Sequence, residues 1–121
     1  MDLAAWIEAG SLTLQPLERM LIRTGLHIQL PRGFEAQIRP RSGTAFKKGL
    51  TVVNAPGTID SDYTGEIRLA MINLSSEPLT VADGERIAQM VVARHEHIQW
   101  QPCVALHETE RSSGGFGSTG K

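Results

Sequence analysis

Apolar and polar residues along this chain alternate with a period of two wherever a pattern is visible, and no long stretch repeats with a helical period. Leu26, Ile28 and Leu30 alternate with His27 and Gln29, and Phe34, Ala36 and Ile38 alternate with Glu35, Gln37 and Arg39. Such alternation predicts strands with one buried face, the second of them stopped by Pro40. Residues 19–23, RMLIR, predict a strand just before Thr24-Gly25, and the stretches 50–53, 67–74 and 86–93 predict three more. The last is apolar on both faces at Ile87, Ala88, Met90, Val91 and Val92, so it is expected inside a sheet. Only residues 44–48 are left for a helical turn. Trp6, Trp100 and Cys103 are expected to pack in the interior.

Short strands punctuated by Pro-Gly, Thr-Gly and Asp-Gly predict an all-β fold: a distorted jelly-roll β-barrel or sandwich with one short helical turn. The 121 residues suffice for one domain with one core. A net charge of −1 argues against a nucleic-acid partner, which usually calls for a strong basic excess. No apolar run approaches the roughly 20 residues that cross a bilayer, so no membrane partner is expected. Cys103 is alone, which excludes an intrachain disulfide and a thiolate zinc cluster and fits a reducing, cytoplasmic location, with organelle or nucleus left open.

Several polar stretches carry more chemistry than packing needs. PRSGTAFKKG at 40–49 places Arg41, Ser42 and Gly43 at a turn that opens a short helix, which is either a cradle for phosphate or an ordinary capped turn. NAPGTIDSDYTGEI at 54–67 reads as a β-hairpin with Asp60, Asp62 and Tyr63 at its tip. There Asn54 offers an acceptor and donors to a pyrimidine edge, and Asp60, expected to be partly buried after Ile59, suits a general base; a solvated acidic loop has the same composition. Gln89 is an amide in the apolar run of the last strand and needs partners, whether backbone or ligand. His95 and His97 share a strand face but lack a third ligand nearby. RSSGGFGSTGK at 111–121 combines a guanidinium, hydroxyls, backbone freedom and one aromatic face, the makings of a flap over an anionic ligand or of an unstructured end.

Taken in order, MDLAA, PRSGTAFKKG, GTIDSDYTGEI, RIAQMVV and RSSGGFGSTG resemble the five motifs of the trimeric deoxyuridine triphosphatase (dUTPase) family, and the match runs the length of the chain. The resemblance implies hydrolysis of dUTP to dUMP and pyrophosphate by water attack on the α-phosphorus. It also implies Mg²⁺ as cofactor and a homotrimer whose sites are shared between chains. Asp60 takes the place of the aspartate that activates the water, with Arg41 and Gln89 beside the phosphates. Tyr63 matches the residue packed on the deoxyribose, and Asn54 falls where uracil is read. Ser42 and Gly43 match phosphate-binding positions, and Gly57, Thr58, Ile59 and Met71 complete the implied substrate contacts. Arg111 corresponds to the γ-phosphate arginine, Phe116 to the base-stacking ring, and Gly117, Ser118 and Thr119 to a turn over the phosphates. Asp2 matches an aspartate that supports the magnesium site through water.

The expected organisation is a β-barrel over 1–110 and a Gly-rich arm over 111–121 that closes an active site. Family members carry an Ala-Gly pair and a strand before the first motif; this chain starts at that motif, so the strand is expected to be missing and a sheet edge left bare. Two alternatives stand beside the main reading. A deoxycytidine triphosphate deaminase of similar fold needs a glutamate at the position aligned with Ala70, and alanine relays no proton. A non-catalytic nucleotide-binding relative would keep the fold without turnover.

Overall fold

The computed structural model describes residues 1–114. Nine strands and one helix follow in the order β1 (Asp2–Ala4), β2 (Ser11–Leu14), β3 (Arg19–Arg23), β4 (Phe34–Pro40), α1 (Ser42–Lys48), β5 (Leu50–Val52), β6 (Gly57–Ile59), β7 (Arg68–Asn73), β8 (Leu79–Ala82) and β9 (Arg86–Arg94). They form a four-stranded sheet β1-β9-β4-β6, a ribbon β2-β8 and a three-stranded sheet β3-β7-β5, every pair antiparallel.

Each sheet turns one face to a shared core. Leu3, Ile38 and Ile87 come from the first, Leu14 and Val81 from the ribbon, and Ile22, Leu50, Leu69 and Met71 from the third. Each fully buried side chain of this kind contributes about 1.5–3 kcal/mol relative to exposure, and together they close the sheets on one another. Asn73, fully buried, is saturated: its amide donates to the carbonyls of Leu14 and Glu77 and accepts from the N–H and hydroxyl of Ser75.

The all-β class, the jelly-roll type of sheet closure and the interior place of β9 agree with the sequence pattern. β9 is wide-faced because its first half is covered on both sides, whereas Val91 and Val92 emerge at 36% and 49% exposure. α1 begins two residues earlier than its apolar pattern suggested and ends at Gly49, whose φ of 73° and N–H to Ala45 O complete the terminal turn.

Three expectations fail. Residues 26–30 alternate as a strand does, with Ile28 and Leu30 against the core, yet they join no ladder. The Leu26 N–H goes to the Thr24 hydroxyl, and its carbonyl receives the N–H of Ile67. The stretch at 54–67 is no two-stranded hairpin: β6 pairs with β4 at the sheet edge, and residues 60–67 beyond it are held by side chain to backbone bonds. Trp100 and Cys103 are exposed, because after Arg94 the described chain joins no sheet, and Trp6 is exposed too at 42%, its ring lying outside the core between Arg23 and Gly25.

Candidate functional site

The first cluster of site residues grows directly from the sheet. In register, Asp2 of β1 and Arg39 of β4 flank Gln89 of β9, and Pro40 leads from β4 into α1. The ladder thus delivers Asp2, Arg41, Ser42, Gly43 and Gln89 to one cavity of about 670 Å³, together with Thr44, Lys47, Lys48, Gly84, Glu85 and Arg86. Asp2 is its hinge: one carboxylate oxygen lies 3.2 Å from Arg41 Nε, the other 3.2 Å from Arg86 Nη1. A further Arg41 nitrogen donates to the carbonyl of Arg86 at 2.8 Å, and Gln89 donates to the carbonyl of Pro40 at 2.9 Å. These bonds aim guanidinium groups, and the Gln89 oxygen receives no hydrogen bond among the described residues.

Lys48 is engaged by Glu85 at 2.6 Å. Burial alone raises the Glu85 carboxyl, but Lys48 and the Ala82 N–H outweigh it and hold the group below the usual carboxylate range. Lys47 carries no ion pair among the described residues and adds charge to the cavity. Arg86 and Lys47 were not foreseen as site residues. Their signal was the adjacent turn and helix: Arg86 follows Asp83-Gly84 directly, and Lys47 sits one turn after Gly43.

The second cluster occupies a separate cavity of about 600 Å³, lined by Leu21, Thr58, Ile59, Asp60, Tyr63, Gly65, Glu66 and Arg68. It shares no residue with the first. Tyr63 donates its hydroxyl to the Glu66 carbonyl at 2.8 Å and lays its ring on Gly65, where a Cβ would stand 2.6 Å from that hydroxyl. Asp60 is exposed on this chain rather than partly buried, because β6 is the outer strand and Asp60 stands just beyond its end. It also borders a smaller cavity with Arg32, Asp62, His95 and His97. The two histidine rings meet edge to face at 4.8 Å beyond the end of β9, and no group of three metal-ligating side chains exists among the described residues.

Other expected contacts are dispersed. Asn54 is exposed with its amide nitrogen over Gly57, where a Cβ would approach to 3.1 Å, and the Met71 side chain is buried in the core, away from both large cavities. Arg111 is exposed and donates to the Gly114 carbonyl at 2.8 Å. Phe116, Gly117, Ser118 and Thr119 lie outside the described residues.

Known proteins resemble this chain in sequence and in fold. A deoxyuridine 5′-triphosphate nucleotidohydrolase of Cytophaga hutchinsonii is 55% identical over 121 residues, all of this chain and 78% of its relative. A protein of that name from Finegoldia magna is 52% identical over 120 residues, 99% of this chain and 83% of the other. Among solved structures, a dUTPase from Streptococcus mutans superposes with a TM-score of 0.74 at 27% identity, covering 82% of this chain and 80% of that one. A variant dUTPase of Staphylococcus bacteriophage 80alpha bound to dUpNHpp reaches a TM-score of 0.87 over 99% of this chain and 85% of that one, at 22% identity, a likeness of fold. The sequence model of the dUTPase family matches residues 7–120, nearly the whole length, and the chain belongs to the dUTPase family.

Proposed function

We infer that this chain hydrolyses dUTP to dUMP and pyrophosphate, acting as a homotrimer with Mg²⁺ and shared active sites. Its product feeds thymidylate synthesis, and its action keeps uracil out of DNA. The observation that carries the reading is the division of one motif set between two cavities. The cationic cavity around Arg41, Ser42, Gly43 and Gln89 suits a triphosphate; the cavity around Thr58, Ile59, Asp60 and Tyr63 suits a sugar with its base. A nucleotide needs both at once, which a second copy of the chain supplies when its phosphate cavity abuts this chain's sugar cavity.

In that arrangement Asp60 takes a proton from the water that attacks the α-phosphorus, and its exposure on one chain ends when the site is assembled. Arg41 and, from the arm, Arg111 hold the phosphates and spread their charge, while Gln89 donates from its amide nitrogen to the α-phosphate or accepts with its amide oxygen from the attacking water. Tyr63 walls off the 2′ side of the sugar, so a ribonucleotide is turned away; Asn54 and the backbone of residues 57–59 read the base. The arm at 111–121 covers the site, with Phe116 stacked on uracil and Gly117, Ser118 and Thr119 over the phosphates, excluding bulk water.

The residues fit Mg²⁺ bound chiefly by substrate. Both oxygens of Asp2 are engaged by guanidiniums and no protein cage of three ligands exists among the described residues, so Asp2 would support the ion indirectly, through water, rather than as a direct ligand. When bound, the ion neutralises phosphate charge and fixes the chain for in-line attack. The lone, exposed Cys103 is compatible with a cytoplasmic enzyme.

Pyrophosphate release from dUTP, UTP, dCTP and dTTP by the purified chain, with its mass measured by light scattering, tests the proposal. Turnover of dUTP alone at a trimer mass is expected. Absence of pyrophosphate, or ammonia released from dCTP, rejects the chemistry, and an active monomer rejects the shared site.

A further inference from the structure

Tyr63 is the residue on which the choice of sugar rests, yet it stands on no ladder. Its N–H donates to the Asp60 carbonyl at 3.1 Å, its ring lies against Gly65, and its far end is anchored where the Glu66 carbonyl receives its hydroxyl. What fixes Glu66 therefore fixes that end of Tyr63.

The Glu66 side chain is only 9% exposed, against 25% or more for the other ion-paired carboxylates among the described residues. Both of its oxygens lie 3.1 Å from Arg23 Nε, one accepts the Gly25 N–H at 2.9 Å, and Arg68 Nε approaches the other at 3.3 Å. Arg23 in turn lies 4.0 Å over the Trp6 ring, so the guanidinium is braced from behind. Along the same seam Thr24 donates to the Ile67 carbonyl at 2.6 Å, and His27 Nδ1 lies 3.0 Å from the Thr64 carbonyl. Three donors from two separate segments converge on one carboxylate directly beneath the tyrosine's anchor. An acid kept only for surface charge has no need of them.

We propose that Glu66 is a positioning residue for Tyr63, whose clamp by Arg23, Gly25 and Arg68 holds the carbonyl that anchors the tyrosine and so sets the enzyme's preference for a 2′-deoxy sugar. The inference rests on the reading of this chain as a dUTP hydrolase with Tyr63 against the sugar. Freed of the clamp, residues 64–67 rotate and the ring leaves the sugar wall, while the phosphates are still gripped elsewhere. The loss then falls on selectivity and binding.

The chain has a single tyrosine, so a full-length sample labelled at tyrosine rings gives one unambiguous set of NMR signals. Glu66→Ala is expected to shift and average those signals, and Glu66→Gln, which keeps an acceptor for the Gly25 N–H, to resemble the wild type more closely. In turnover, Glu66→Ala lowers the dUTP-over-UTP preference about tenfold, through KM more than kcat, and Glu66→Gln restores part of it. Tyr63→Phe reproduces the loss of preference, and combining it with Glu66→Ala adds little, as expected of residues acting through one contact. A Glu66→Ala protein with wild-type tyrosine signals and wild-type preference overturns the proposal, whatever its melting temperature. Should that variant not fold, unchanged preference in Tyr63→Phe, which lacks the hydroxyl held by the Glu66 carbonyl, does the same. A wild type that hydrolyses neither nucleotide defeats the dUTP reading instead, and the tyrosine signals alone then decide whether Glu66 positions the ring.

Discussion

The two cavities are built by opposite means. The cationic one hangs on paired strands: Asp2 and Gln89 are register partners, and the arginines are drawn together across that ladder by one carboxylate. The tyrosine cavity hangs on turns, where residues 60–67 are held by side chains reaching backbone and by a glycine that lets a ring approach. The difference matches the tasks proposed for them. A flexible, highly charged triphosphate is captured by cations at fixed spacing, which a sheet supplies at little entropic cost. A sugar that differs from its competitor by one oxygen is recognised by contact, and contact of that closeness needs backbone shapes that a regular ladder does not make.

Substitutions can break either side of this comparison. The largest effect is expected at the turn side, where Asp60→Asn keeps shape and removes the proposed base; kcat should fall by about 10²- to 10⁴-fold with dUTP binding preserved. A titration showing greatly weakened binding with unchanged saturated turnover contradicts the assignment. Deleting residues 115–121, which bear the implied stacking ring and phosphate turn, should lower kcat/KM by about 10²-fold. Because no described core residue is removed, the melting temperature should stay close to that of the full chain, which calorimetry checks.

Gly65→Ala sharpens the comparison, since the atoms nearest its methyl are the Tyr63 hydroxyl and ring, at 2.6–3.0 Å. A loss of about tenfold in kcat/KM for dUTP is expected. Asp2→Asn is the matching change on the ladder side: it weakens the hold on Arg41 and Arg86 together, and a fall of similar size, with a steeper salt dependence of KM, is expected. If Asp2→Asn leaves KM unchanged, the carboxylate does not aim the arginines.

The smallest effect is on stability against acid. Burial raises the carboxyls of Glu66 and Glu85, but their donors outweigh it and hold each below the ordinary carboxylate pKa, so the folded state binds fewer protons than the unfolded one. Their contribution is complete above about pH 4.5 and disappears as pH falls below it through the depressed folded values. Thermal melts across that range should show Glu66→Gln and Glu85→Gln proteins losing less stability on acidification than the wild type. Equal slopes contradict this.

The amino-acid sequence by itself determined the class of fold, the long strands and the set of motif residues. Period-two alternation is a local property, and the phosphate turn, the aspartate and the tyrosine are each written as contiguous residues. The three-residue strands β1 and β6 escaped because so few residues carry too little alternation to stand out, whereas β5, equally short, lay within the apolar run 50–53. Residues 26–30 show the converse: alternation records which side chains face the core, while pairing depends on whether a partner's N–H and C=O groups lie alongside, and here Ile67 offers only one. Tertiary structure alone decided that Asp2 would join Arg41 to Arg86, contacts spanning 39 and 84 residues of chain, and that Glu66 would be locked by Arg23 from 43 residues away. Charge partners of that kind carry no local spacing rule, since Coulomb attraction acts on distance in space and the sheet register sets that distance. The separation of the motifs into two cavities was likewise invisible along the chain, because it follows from which strands lie at the edges of the closed sheets.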